Sequence, residues 1–318
     1  MLLKQILEIY DLLDDPKADG QRVLDYLRGI DPSADVETYP LTGDGGTTHM
    51  VKVRIPGNNG KAVGGSAPTL GVLGRLGGLG ARPERIGFVS DGDGALAALA
   101  VAAKVLDMRR KGDSLPGDLF ISTHICPDAP TQPHVPVPFM GSPVSIAQVN
   151  REEVSPDLDA ILSIDTTKGN RIINARGFAL SQPVKEGYIL PLPEQLLDLM
   201  EQTTGRLPQV FPVNMQDITP YGTTVRHINS IMQPATCTAA PVIGLAVTTE
   251  TAVSGCGTGC THFADVEEAA RFALEAAKAF GAGDLEFYDR RDYAEMIERY
   301  GTMERFQTMG TAEGKKES

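Results

Sequence analysis

The sequence predicts an α/β protein: a mixed, mostly parallel sheet with helices on both faces, an αβα sandwich. Three observations carry this. Short apolar runs of strand length, at 69–74, 118–123, 158–164 and 241–247, alternate with longer runs of helical period at 95–109 and 264–280. With 318 residues, 42% of them apolar, the chain can bury one large α/β core. Two junctions after apolar runs present carboxylates, Asp91-Gly-Asp93 and Asp165-Thr-Thr-Lys168. Open α/β sheets bind ligands at that carboxyl edge.

The elements follow in order. Residues 1–14 and 20–29 have amphipathic helical spacing, through Leu2, Leu3, Ile6, Ile9 and Leu13, then Val23, Leu24 and Leu27. Residues 49–55 alternate with period two and stop at Pro56-Gly57, a strand closed by a turn. A polar Gly-rich loop spans 58–68, and 69–74 is a short buried strand. The run 86–90 is expected as a strand that ends in Asp91, with Asp93 capping the helix that follows. Strand 118–123 leads into 126–143, whose six prolines exclude a regular element and indicate an ordered lid loop near 127–143. Strand 158–164, a strand-rich stretch 172–190, helix 193–203, strand 209–214, helix 224–232, strand 241–247 and helix 264–280 complete the pattern. The charged stretch 284–307 is helical. No repeat and no shift in composition marks a linker, so one domain is expected over 1–310, with a disordered tail at 311–318.

Composition narrows the partners. The formal charge is −12 with no basic stripe, which argues against nucleic acid. The longest apolar runs fall well short of the roughly 20 residues a membrane span needs, and 1–14 does not resemble a secretory signal. A cytoplasmic, homo-oligomeric protein with reduced cysteines and a small-molecule or short-peptide ligand is expected. Neither a P-loop nor a G-x-G-x-x-G strand–helix turn is present, so no nucleotide or flavin is expected, and H-E-x-x-H and G-x-S-x-G are missing too.

Chemistry-bearing residues cluster after strands. Asp91 and Asp165 are candidate metal ligands. Asp93 and Asp128 are candidate proton acceptors. His124, Cys126 and Asp128 lie within five residues, and an extended backbone puts alternate side chains on one side. Their alternative is a Cys buried as a small hydrophobe beside a hydrogen-bonded His. Cys256, Cys260 and His262 share a Gly-rich segment that suits either a metal or an anion-binding loop before the next helix. Tyr221-Gly-Thr223-Thr224 and His227 form a further polar turn that can face a ligand.

The order of these features resembles the clan of co-catalytic zinc aminopeptidases, carboxypeptidases and aminoacylases, which has a phosphorylase/hydrolase-like fold. Arg54-Ile-Pro-Gly57, Ser90-Asp91-Gly-Asp93-Gly with its Ala-rich helix, Ser163-Ile-Asp165 and Gly222-Thr-Thr224 follow the clan's sequence of landmarks over roughly 1–280. The resemblance implies that Asp91 bridges metals and Asp165 is a ligand. Where the clan has His-x-Asp, this chain has Arg75-Leu-Gly77; where it has Glu-Glu, it has His124-Ile-Cys126. For the clan's late His, His262 is the nearest histidine. The chain reads as a divergent bacterial branch. Its implied function is a metal-dependent hydrolase of a small amide or peptide-like, carboxylate-bearing substrate, with zinc, manganese or cobalt held by Asp91, Asp165, His124, Cys126 and His262. Arg75, Thr223, Thr224 and His227 would bind substrate. The alternative is an inactive, metal-free metabolite-binding or regulatory protein on the same fold, favoured by loss of the Glu-Glu pair. A cysteine enzyme using Cys126 or Cys260 is a third reading.

Overall fold

A computed structural model describes residues 2–76, 78–81, 87–133, 139–214, 228–250 and 259–308. Its frame is a ten-stranded sheet. The path runs β1 (Asp35–Gly43), β2 (Gly46–Ile55), β4 (Asp118–Ile125), β3 (Thr69–Gly74), β7 (Ala160–Thr166), β12 (Val242–Thr248), β8 (Gly177–Ser181), β11 (Val210–Phe211). The short hairpin β9 (Val184–Lys185) and β10 (Tyr188–Ile189) attaches to β12. The four central strands β4, β3, β7 and β12 are parallel; β2 and β8 flank them antiparallel.

The central strands are buried almost throughout, and their apolar side chains divide between the two faces by alternation. Leu70 and Val72, Leu162 and Ile164, Ile243 and Leu245 join one core; Leu73, Ile161 and Val242 join the other. The first face is covered by α1 (Leu3–Asp14), α2 (Gly20–Ile30), α3 (Asp93–Arg110) and α6 (Phe263–Ala282), with α5 (Glu194–Thr204) packed on α6. The second face has a lighter cover, α4 (Ile146–Glu153) and a 3-10 segment, Ser230–Thr236. The charged helix α7 (Arg290–Tyr300) has no buried residue and is followed by a 3-10 turn, Glu304–Phe306.

α3 is buried on every side from Asp93 to Ala103, which its alanines permit, since a helix apolar all round belongs inside a core. No described helix is long and apolar enough to cross a membrane.

Several expectations change. Residues 87–89 are not a strand. Phe88 turns inward to an edge-on contact with Tyr10, ring centroids 5.3 Å apart, and its N–H donates to Asp14 at 2.5 Å. Tertiary packing overrides a short apolar run. β1 and α4 appear where no element was expected. The Pro-rich stretch contains a two-residue antiparallel pair, β5 (Thr131–Gln132) with β6 (Phe139–Met140). Residues 134–138 of that loop, residues 224–227 of the expected 224–232 helix and the tail at 311–318 lie outside the described residues; the described end of that expected helix is a 3-10 segment, Ser230–Thr236.

Candidate functional site

The carboxyl ends of β3 and β7 lie side by side, and the first turn of α3 sits on them. The Arg75 N–H donates to Ile164 O at 2.8 Å, and the Thr123 hydroxyl at the end of β4 donates to Gly74 O at 2.8 Å. Glycines make the close approach possible. A Cβ on Gly94 would stand 2.5 Å from both Arg75 O and Ile164 O; one on Gly74 would stand 2.6 Å from Gly94 O. Only hydrogen fits there.

This seating brings the two junction aspartates to one edge. Asp91 lies in a 3-10 turn, Ser90–Gly92, and is 7% exposed; Asp165 ends β7 but for one residue and is 8% exposed. The Thr166 hydroxyl donates to Ser90 O at 2.7 Å, tying the two junctions together. Backbone N–H groups address both carboxylates, Gly78 to Asp91 at 3.4 Å and Thr166 to Asp165 at 2.8 Å.

Asp93 is fully buried and has a different role from the one its position suggests. It does not cap α3, whose first residue it is, and it is not open to a substrate. Its carboxylate accepts from the Lys168 ammonium at 3.3 Å and from the Thr261 hydroxyl at 2.8 Å. Burial pushes its pKa up to about 6, against the opposing pull of Lys168 and Thr261; the neighbouring Asp91 adds to the rise. Asp93 therefore fastens three segments, the start of α3, the turn after β7 and residues 259–261, with a further tie from Ser90 N–H to Gly259 O at 3.0 Å. It is a positioning residue rather than a proton acceptor at a surface.

The 124–128 cluster does not converge on an ion. His124 is buried with both ring nitrogens engaged. Nε2 lies 3.0 Å from Leu76 O, which can only accept, so Nε2 carries the proton; Nδ1 lies 2.8 Å from the Thr48 hydroxyl. Burial lowers its pKa to about 4, so the ring is neutral at pH 7. As placed, neither nitrogen is open to a metal. The Cys126 thiol packs among Ala81, Val89, Ala129 and Met140, and burial raises its pKa to about 11. It behaves as a small hydrophobe, and not as a thiolate ligand or nucleophile. Asp128 is exposed. It stays close to the edge, because Leu79 N–H donates to Cys126 O at 2.7 Å and Ala129 N–H to Gly80 O at 2.9 Å.

Arg75 is not a free substrate anchor. It is 5% exposed, forms a buried ion pair with Glu153 of α4 and donates to Asn150 Oδ1 at 3.1 Å. The side chain of His262 is 53% exposed and pairs with Asp265 at 3.3 Å, pointing along α6. Thr223, Thr224, His227 and Cys256 lie outside the described residues. Among the described residues, no three His, Cys, Asp or Glu side chains form a group that could hold a metal.

Sequence reasoning missed Lys168, Thr261, Glu153 and Thr48 as partners. Lys168 had a signal, since a cation three residues beyond a strand-end aspartate reaches the same edge. The other three contacts depend on the tertiary fold alone.

A mixed sheet with a parallel centre, Asp165 near the carboxyl end of β7 and Asp91 in the turn that leads into α3, defines an α/β chain. The bottromycin maturation enzyme BotP has this fold at a TM-score of 0.54 and 14% identity, covering 89% of this chain and 70% of that one. A glutaminyl cyclase from an Acidobacteriales bacterium matches at a TM-score of 0.51 and 13% identity, over 89% of this chain and 94% of that one. The fold expected from the sequence resemblance is the one found. By sequence, the chain belongs to the family described as "Protein of unknown function (DUF1177)", matched over residues 40–310. No curated protein matches the chain.

Proposed function

We propose that the chain is a metal-dependent hydrolase of a small amide or peptide-like molecule, working at the Asp91/Asp165 edge. The observation that supports this reading is the tie between the two junctions, Thr166 hydroxyl to Ser90 O, next to Asp165 and Asp91, on a fold shared with BotP and a glutaminyl cyclase. Asp91 and Asp165 suit a hard divalent cation, which prefers oxygen donors. The described residues do not suit a co-catalytic pair, because His124 and Cys126 are turned to other partners. One ion held by the two carboxylates would lower the pKa of bound water and polarise the scissile carbonyl. In this reading Asp128, the exposed acid beside the edge, takes the proton. The Asp93–Lys168–Thr261 contact keeps the edge in register.

A second reading is a metal-free binding or regulatory protein. It is favoured by two cations, Lys168 and Arg75, built into the edge as buried ion pairs. Metal analysis of the purified chain separates the two. The hydrolase reading expects about one zinc, manganese or cobalt per chain, lost in Asp91→Asn and in Asp165→Asn together with hydrolysis of N-acyl amino acids or dipeptides. No metal uptake after incubation with all three ions would move the assignment to the second reading.

A further inference from the structure

The opposite edge of the sheet holds a cavity of about 790 Å³. It lies where the chain enters the central strands: Pro68 before β3, Leu158 before β7, Pro241 before β12. Those strands have six or seven residues, so the cavity is roughly 20 Å from the Asp91/Asp165 edge at about 3.3 Å per residue. Its size falls within the roughly 300–1,000 Å³ typical of small-molecule sites.

The lining has a definite chemistry. Phe280, Leu285, Phe287 and Leu158, all at most 9% exposed, give an apolar floor. The rim carries two ion pairs, Lys61 with Asp159 at 2.6 Å and Arg290 with Glu286 at 3.7 Å, whose cationic side chains are 45% and 77% exposed. A third cation, Lys185, is already engaged: it donates to Ala239 O at 2.6 Å, pairs with Glu186 and lies over the Tyr288 and Tyr293 rings. Cys237 also lines the cavity, but burial pushes its thiol up to about 12 and it donates to Pro234 O at 3.1 Å. A thiol held protonated is a poor nucleophile, so Cys237 suits the cavity to binding and not to covalent chemistry.

An apolar floor under a rim that presents both signs of charge on separate elements matches a ligand with both signs and an apolar body. We propose that this cavity is a second ligand site, for a zwitterion of amino-acid to dipeptide size with an apolar side chain. The inference stands apart from the hydrolase reading and does not require it.

Isothermal titration of the full chain with L-leucine and L-leucyl-L-leucine tests it. Saturable binding is expected, weakened about tenfold in Lys61→Met and in Arg290→Met through loss of one charged contact. Both substituted side chains are at the surface, so folding is not at risk. In Asp91→Asn, saturable L-leucine binding should remain and should still weaken when Lys61→Met is added, which separates this cavity from peptide bound at the other edge. 4-Methylpentanoate and isopentylamine, each with one of the two charges, should bind about tenfold more weakly than leucine. No saturable heat with either zwitterion overturns the proposal. So does equal affinity for the single-charge analogues, or loss of binding in Asp91→Asn with Lys61→Met unaffected.

Discussion

Lys168→Met removes the ammonium from a carboxylate that has no access to water. Held near 6 against an ordinary 3.8, Asp93 already costs the folded chain about 3 kcal/mol at pH 7, at ~1.4 kcal/mol per pH unit of difference. The sign follows from the direction of the shift. A carboxyl whose pKa is raised on folding favours the folded state fully below the unfolded value, and that advantage is lost as pH rises through the folded value. With Lys168 gone, the folded pKa climbs further and the loss extends to higher pH. Breaking a buried pair from one side costs about 3–5 kcal/mol. We expect Lys168→Met to lose stability of that order at pH 8 and distinctly less at pH 5, where Asp93 takes up a proton. The double variant Asp93→Asn/Lys168→Met should recover most of the loss, because it leaves no buried charge. Urea unfolding of parent, single and double variants at both pH values measures this. A penalty equal at pH 5 and pH 8, or a double variant no more stable than Lys168→Met, would refute the reasoning.

Two further outcomes are expected. Gly94→Ala should destabilise by about 1–3 kcal/mol through overpacking against Arg75 O and Ile164 O, read as a lower urea midpoint with an unchanged slope. His124, lowered to about 4, lends stability that is present above about 6.5 and is lost as pH falls toward 4; His124→Gln should remove that part of the acid-side slope, measured by thermal unfolding from pH 7 to 4.

What could be read from the sequence was what repeats locally. β3, β7 and β12 are short runs of wholly buried residues, and α3 and α6 are long periodic ones, so their types follow from spacing and length. α4 had a readable start that went unused: Ser145 and Gln148 form a reciprocal capping box. β1 is an edge strand interrupted by Pro40, and its burial does not alternate cleanly, so its signal is weak. At the site, the positions of Asp91 and Asp165 followed from their junctions. The fate of the charges did not. Asp93 and Lys168 are 75 residues apart, Asp93 and Thr261 168 apart, and Arg75 meets Asn150 across 75. No local pattern encodes which cation meets which acid at those distances. The same limit explains His124, whose two partners come from β2 and from the residues after β3.

The contact among Asp93, Lys168 and Thr261 also bears on how the chain reaches its folded state. It joins segments from three successive thirds of the chain, so its formation requires closure of two long loops, in a sheet where β7 pairs with β3 and β12 with β7. Parallel pairings across such separations put the chain among slow, high-contact-order folders. The β1–β2 hairpin, by contrast, closes across two residues and can form early. A nascent chain that has not yet exported residues 259–308 therefore has most of its sheet strands but lacks the third strut of the acidic edge.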